Sequence, residues 1–430
     1  MRILITLVII IFFNSVNAKS INVIRDAEIE NLLEDISKEL SRETELEKDK
    51  LTFFIDNQRY INAFVTPNRH FFFTTELLLR SKGIDDLAGV ISHEMGHVIG
   101  GHFQKRQIAM EKTSVINILS SILAVGAIAA GASDAGSAIL MGSQQISGSR
   151  MLAFSRAQES LADQTAIRLM KKNGFSLKGL INIFEEIKKG EKIRKINPYM
   201  LTHPLSTERI KNIQLNLEKQ KIKKYKDLEK RFKLAKAKLN GFFMKSEQIK
   251  TLYNDNKLES LYAHALNNYK IGKINIAINL INRCINLDSE NPYFYELKGQ
   301  LHHERGDFYK AIDAYVKSSS ILPDEKEFKL FLAKSLYHSG EIKNYEKSIS
   351  LLLSYIKKDE FPIEAWHYLG LNYGKLRKLD YSSHAFAEKF VLAGKFDNAK
   401  IHIERAKKIT KDPFLIKKLS DLDYEIKKNR

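Results

Sequence analysis

Two histidines stand four residues apart at His93-Glu94-Met95-Gly96-His97, with a glutamate directly after the first. On an α-helix, residues at that spacing lie on one face, so both imidazoles can reach one metal ion. Glu94 sits beside that face, where its carboxylate can act on a water held at the metal. The pattern reads as a zinc-hydrolase motif. A surface helix carrying two histidines by chance is the alternative, and the surroundings argue against it. Leu87, Val90, Ile91, Met95, Val98 and Ile99 give the segment apolar faces to bury. Asp85 and Asp86 stand where they could cap its start.

A catalytic zinc usually takes three protein ligands, so a third must come from elsewhere. His102 is near but unsuited. The metzincin pattern puts glycine three and histidine six residues after the second ligand; Gly100 fits, but Phe103 occupies the histidine place. On a continuing helix His102 points away from His93 and His97. Glu159 and Asp163 are four apart in an apolar helical pattern of Leu161, Ala162, Ala166, Ile167 and Leu169. They share a face, where Glu159 can bind zinc and Asp163 can hold a ligand imidazole by its other nitrogen. For that helix taken alone, a solvated acidic pair is the competing reading. Thr202-His203-Pro204 then starts a loop, and Ser206-Thr207-Glu208-Arg209 starts another helix. His203 could donate to the oxyanion of a tetrahedral intermediate, fill the open zinc position at rest, or serve only as a structural loop histidine.

Periodicity places the elements that hold these residues. Ile29, Leu32, Leu33, Ile36 and Leu40 recur at helical spacing. Residues 51–55, 60–65 and 71–75 read as short strands with turns at Asp56-Asn57 and Pro67-Asn68. They predict a small antiparallel sheet leading into the motif, whose edge could bind substrate backbone as an added strand. Residues 113–149 carry one charge, Asp134. They could be a membrane hairpin, a pair of buried helices or a mobile lid; neither half supplies the roughly twenty continuous apolar residues that each span of a hairpin needs. Residues 219–250 read as one long lysine-rich helix closing the first domain.

Beyond it the chain repeats. Gly272, Gly306 and Gly340 stand 34 apart, as do Ala277 and Ala311, and Gly299 and Ala333. Trp366-x-x-Leu369-Gly370-x-x-Tyr373 is the tetratricopeptide signature; Pro323 and Pro362 close repeats, and Gly394 and Ala399 mark a last, degenerate unit. Stacked helix pairs leave a concave surface for extended or helical partners. Cys284 falls at a small-residue position, where packing explains it better than catalysis.

The chain has 430 residues, enough for two domains, and a net charge of +18. The lysines are spread over helices and no nucleic-acid motif accompanies them, so a solvated basic surface is expected and nucleic acid is not. With one cysteine, no intrachain disulfide can form. Arg2, an apolar run over 3–13 and Val16-Asn17-Ala18 read as a cleavable export signal. The expected division is a signal peptide over 1–18, a protease domain over 19–250 and a repeat domain over 251–430.

His93-Glu94-x-x-His97, Glu159-x-x-x-Asp163, and His203-Pro204 with Arg209 following resemble the integral-membrane and periplasmic zinc peptidases related to CAAX prenyl protease and HtpX. Asn62-Ala63-Phe64 and Thr75-Glu76-Leu77-Leu78 add to the likeness, which covers about residues 24–245. The resemblance implies one zinc ion held by His93, His97 and Glu159, with Glu94 as general base and Asp163 and Arg209 behind the ligands. The family's membrane members carry clear transmembrane helices; this chain has only the low-charge stretch and looks like the exported branch. The expected fold is mainly α: an α+β zincin-type domain with a small antiparallel sheet, then an α-solenoid of tetratricopeptide repeats. The expected function is that of a periplasmic zinc endopeptidase acting on misfolded or stalled envelope polypeptides. Its repeats would contact the outer-membrane protein assembly machinery, and 113–149 would be the place for any peripheral membrane contact. A chaperone or scaffold with little proteolysis, and a membrane-embedded protease, are the alternatives.

Overall fold

The computed structural model describes residues 22–110, 141, 155–193 and 203–428. The expected export signal over 1–18 and, apart from Met141, the low-charge stretch 113–149 lie outside the described residues. Among the described residues, no helix is long and apolar enough to cross a membrane. The chain forms two compact units. One holds the residues through Asp26 and Leu33–Lys224; the other holds Ala27–Leu32 and Tyr225–Arg430.

The first unit opens with β1 (Val23–Ile24) and α1 (Ala27–Ser41), the latter shared in sequence with the second unit. Strands β2 (Thr52–Asp56), β3 (Ala63–Val65) and β4 (His70–Thr74) follow, then α2 (Thr75–Arg80) and α3 (Ile84–Ile99). Helical residues 102–110 (α4) and 155–173 (α5) lead to α6 (Lys178–Ile193) and α7 (Thr207–Leu215). The sheet has the order β1-β2-β4-β3. It is mixed, not wholly antiparallel as the strand-and-turn pattern predicts. The β3–β4 hairpin is antiparallel with Phe64 opposite Phe72, but β2 and β4 run parallel with Phe54 opposite Phe72. Residues 57–62 carry the chain past the neighbouring position, so β3 lands on the edge and the hairpin returns β4 between β3 and β2.

Aromatic layering explains why β4 can be buried at every position. Phe71 stacks on Phe53 at 5.1 Å on one face, while Phe72 lies between Phe54 at 5.1 Å and Phe64 at 4.8 Å on the other. Cross-strand aromatic pairs of this kind stabilise a sheet whose two faces are both covered. Helix α3 is buried through most of its length, its two motif histidines included. Its cap residue is Gly83, and no side chain caps it. Asp86 instead accepts from the Lys82 amide at 2.7 Å and from Asn182 at 2.9 Å, and Asp85 accepts from the Ser176 amide at 2.8 Å. These aspartates tie the helix to the segment leading into α6.

The second unit begins with α8 (Lys226–Phe243) and α9 (Ser246–Leu252). The single helix predicted over 219–250 is therefore two, and the compact units divide at Lys224 and Tyr225, before the predicted boundary at 250. Met244 turns extended, and the Gln248 side chain accepts the Lys245 amide at 3.1 Å to start the next helix. α8 belongs with the repeats because Leu234 and Ala237 share a core with Leu261, Tyr262 and Leu266.

Helix pairs follow: α10 (Leu258–Lys270) with α11 (Ile274–Leu287), α12 (Pro292–Glu304) with α13 (Phe308–Ile321), and α14 (Lys326–His338) with α15 (Ile342–Ile356). Next come α16 (Ile363–Lys375) with α17 (Leu379–Leu392), then α18 (Phe396–Ile409), which packs on α17, and α19 (Pro413–Lys428), which packs on both. This is the repeat architecture that the 34-residue period predicts. Ala277, Ala311 and Ala399 are fully buried. Cys284 is buried in the same core as Ala277, and burial pushes its thiol up to about 12, so it packs and does not react. Residues 27–32 belong to this unit through long-range bonds. Glu28 accepts from the Tyr262 hydroxyl at 2.8 Å, and the Asn31 amide donates to Glu325 at 2.6 Å.

Gly272, Gly306 and Gly340 adopt positive φ in the turn within each of the first three pairs, whereas Arg377 takes that place in the fourth at φ 58°. A residue with a Cβ is strained there by about 1 kcal/mol. Arg377→Gly should therefore raise the stability of the repeat unit by up to about 1 kcal/mol, less the added chain entropy of glycine. A urea titration checks this, and an unchanged or lower midpoint would count against it.

Candidate metal centre

Four side chains converge from three parts of the first unit. His93 and His97 come from α3, Glu159 from α5 and His203 from the loop before α7. All four are buried, and their ligand atoms lie within 4.8 Å of one another. His93 Nε2 is 3.2 Å from His97 Nε2 and 3.4 Å from His203 Nδ1. Glu159 oxygens lie 3.3 Å from His93 Nε2, 3.4 Å from His97 Nε2 and 3.2 Å from His203 Nδ1. Donors held about 2.0–2.1 Å from a tetrahedral ion stand roughly 3.3–3.4 Å apart. The five separations given lie close to those edges. Three imidazole nitrogens and a carboxylate facing one point cannot all be satisfied by one another's protons. The donor set fits a divalent cation.

Local sequence explains how the helices come this close. Gly96, inside the motif, faces Ala162: a Cβ at 96 would meet the Ala162 Cα and carbonyl oxygen at 2.8 Å. The absence of a side chain lets α5 cross against α3. Glu159 and Asp163 flank Ala162 on α5, so the same crossing delivers both carboxylates to the histidines. Asp163 Oδ1 is 3.0 Å from His93 Nδ1, leaving His93 Nε2 to face the donor cluster. Arg209 holds Asp163 from the other side with a two-pronged contact, Nε to Oδ2 at 2.6 Å and Nη2 to Oδ1 at 2.8 Å. Its Nη1 reaches Glu159 at 3.0 Å and the Pro204 carbonyl at 2.9 Å, and its guanidinium lies over the Phe184 ring. Ser206 caps α7 by accepting the Arg209 amide at 3.2 Å, which fixes where that arginine begins.

Burial opposes every charge in this cluster, and the contacts decide the outcome. Burial pulls His93 down, but hydrogen bonds with Asp163 and Glu159 raise it to about 10. Burial and the neighbouring His93 press His97 down to about 2. Glu159 and Asp163 are pushed up by burial, yet bonds with His203 and His93, and with Arg209 and His93, hold both well below the usual carboxylate range. Glu94 is different. Burial dominates and raises it, while His203 and His93 pull less strongly the other way. The Val65 backbone N–H of β3 bonds its carboxylate, His203 Nε2 is 3.6 Å from its Oε1, and that oxygen has no hydrogen-bond partner among the described residues. A buried carboxylate with a raised pKa beside the donor cluster can take up a proton and give it back.

The residues singled out from sequence, His93, Glu94, His97, Glu159, Asp163, His203 and Arg209, thus meet in one buried cluster. His102 stands apart from the four donors, but the reason given from sequence does not hold. The helix does not continue, since α3 ends at Ile99 and Gly101 adopts φ 59°. His102 turns back and its Nδ1 lies 2.9 Å from His97 Nδ1. The Gly100-Gly101 pair was the signal for that turn.

Residues 25–216 match the family model Peptidase family M48. That stretch, most of the first compact unit, is similar in sequence to M48 peptidases. The Beta-barrel assembly-enhancing protease of Escherichia coli K12 is 23% identical over 364 residues, 82% of this chain and 73% of that protein. The Mitochondrial metalloendopeptidase OMA1 of Schizosaccharomyces pombe is 29% identical over 164 residues, 38% of this chain and 45% of that one. Metalloprotease YcaL of Escherichia coli K12 is 31% identical over 134 residues, 30% of this chain and 48% of its own. The protein is a metalloendopeptidase, and the His/Glu cluster is its candidate site for one divalent ion.

Gly96→Val should abolish stoichiometric metal binding, because a branched side chain cannot fit against Ala162 without parting α3 and α5. Elemental analysis of the folded variant reads this directly. Full metal content would show that the close crossing is not required.

Proposed function

We propose that this protein is an exported, zinc-dependent endopeptidase of the periplasm that hydrolyses misfolded or stalled outer-membrane polypeptides. Its repeats would bind clients or the assembly machinery. The observation that carries the catalytic part is the four-donor cluster with Glu94 beside it. His93, His97 and Glu159 hold the ion, and His203 closes the set at rest. When bound, the zinc ion polarises the scissile carbonyl and makes a water acidic enough to attack near neutral pH. Glu94 takes the proton of the attacking water and hands it to the departing amine. Asp163 fixes the His93 ring, and Arg209 holds Asp163 and Glu159 in place.

Substrate enters along β3. That strand is one of the two sheet edges among the described residues, and its Val65 N–H bonds Glu94, so a polypeptide pairing there would run beside the base. Such a chain displaces His203, whose loop position before Pro204 keeps it extended and able to swing. The location and client class rest on the expected signal over 1–18 and on the likeness to the Beta-barrel assembly-enhancing protease over 82% of the chain.

Glu94→Gln should retain one zinc and lose about 100–10,000-fold in peptide turnover. Undiminished cleavage of unfolded outer-membrane protein by that variant would assign the base to another group. His203→Ala at matched zinc content should cleave casein faster than the unaltered protein, because the resting ligand is gone. A fall of about 100–1,000-fold would instead give His203 the oxyanion role.

A further inference from the structure

His102 is a buried histidine beside the donor cluster that this chemistry leaves unused. The turn at Gly100 and Gly101 folds it back over His97, with ring centroids 4.9 Å apart at 79° and the two Nδ1 atoms 2.9 Å apart. The position is built. His102 is 3% exposed, and its carbonyl accepts from Gln158 of α5 at 3.1 Å. A Cβ at Gly100 would lie 2.3 Å from His102 Nε2, so only glycine leaves room for the ring. Among the described residues, His102 Nε2 has no hydrogen-bond partner.

Two facing imidazole nitrogens bond only if one of them carries a proton. If His102 Nδ1 donated, the His97 proton would sit on Nε2, aimed at the other three donors, and His97 could not ligate. If His97 Nδ1 donates, its Nε2 lone pair is free for the ion. We propose that His102 is a positioning residue that accepts the His97 Nδ1–H and so holds His97 in its ligating tautomer and ring orientation. This rests on reading His97 as a metal ligand. The two motif histidines are then held by unlike acceptors, the Asp163 carboxylate behind His93 and a neutral imidazole behind His97.

The test is zinc affinity of the full chain, measured by chelator competition, for His102→Leu and His102→Asn. Leucine keeps bulk and removes the acceptor; asparagine places an amide oxygen near where Nδ1 stood. His102→Leu should bind zinc about 10–100-fold more weakly, with shifted visible bands in its cobalt-substituted form. His102→Asn should restore both affinity and spectrum to near those of the unaltered protein. Unchanged affinity in His102→Leu, or an equal loss in both variants, would overturn the proposal, the latter marking a packing role. Should His102→Leu not fold, Gly100→Ala displaces the ring while keeping the histidine, and unchanged affinity there overturns the proposal equally. His97→Ala is titrated alongside. If it keeps full affinity, the ligand reading fails and the proposal with it; if it loses zinc while the His102 variants do not, only the proposal fails.

Discussion

The close crossing of α3 and α5 at Gly96 and Ala162 is the constraint on which the centre depends. One missing Cβ sets the separation of two buried helices. Everything chemical follows from that separation. Residues one turn apart on α5 can then address two residues one turn apart on α3, carboxylates on one side and imidazoles on the other. The crossing holds the donors of both helices within 4.8 Å of one another, facing one point. Preorganisation of this kind spares binding energy that would otherwise go into ordering the site.

Such a site has an electrostatic problem, because buried carboxylates without counter-charges cost several kcal/mol each. Arg209 answers part of it, with one guanidinium serving both Asp163 and Glu159. The remaining positive charge can be a proton on His93 or a metal ion in the donor set. The two compete for the same place, so metal uptake releases protons and falls away in acid. Glu94 is excluded from this arrangement by geometry. Val65 bonds its carboxylate and His203 and His93 draw on it, yet burial outweighs them and keeps it readier to hold a proton than Glu159 or Asp163.

What the sequence disclosed was local. His93 and His97 declare themselves because helical pitch puts them on one face, and the repeats because each unit must bury the same face at the same interval. That Arg209 holds Asp163 was not legible, since they stand 46 positions apart in sequence and their contact is tertiary. Features that depend on how distant pieces close were not legible. The sheet order reversed an expected pairing because the 57–62 connection chose the far edge. His102 was misplaced because helical geometry was extended through Gly100 and Gly101, where the chain turns. The break at Met244 carries no proline or glycine of its own, and periodicity ran across it.

The membership of Ala27–Leu32 in the repeat unit has a consequence for how the chain is made. Glu28 waits for Tyr262, 234 residues downstream, and Asn31 for Glu325, 294 residues downstream. Synthesis delivers the amino-terminal end first, so these groups emerge long before their partners. Loop closure over such distances is slow, and a terminal segment holding unpaired polar groups is exposed in the meantime. The repeats can zip up from neighbour to neighbour, yet residues 27–32 take their place among them only after Tyr262 and Glu325 have been made. Assembly of this molecule therefore finishes near where it began.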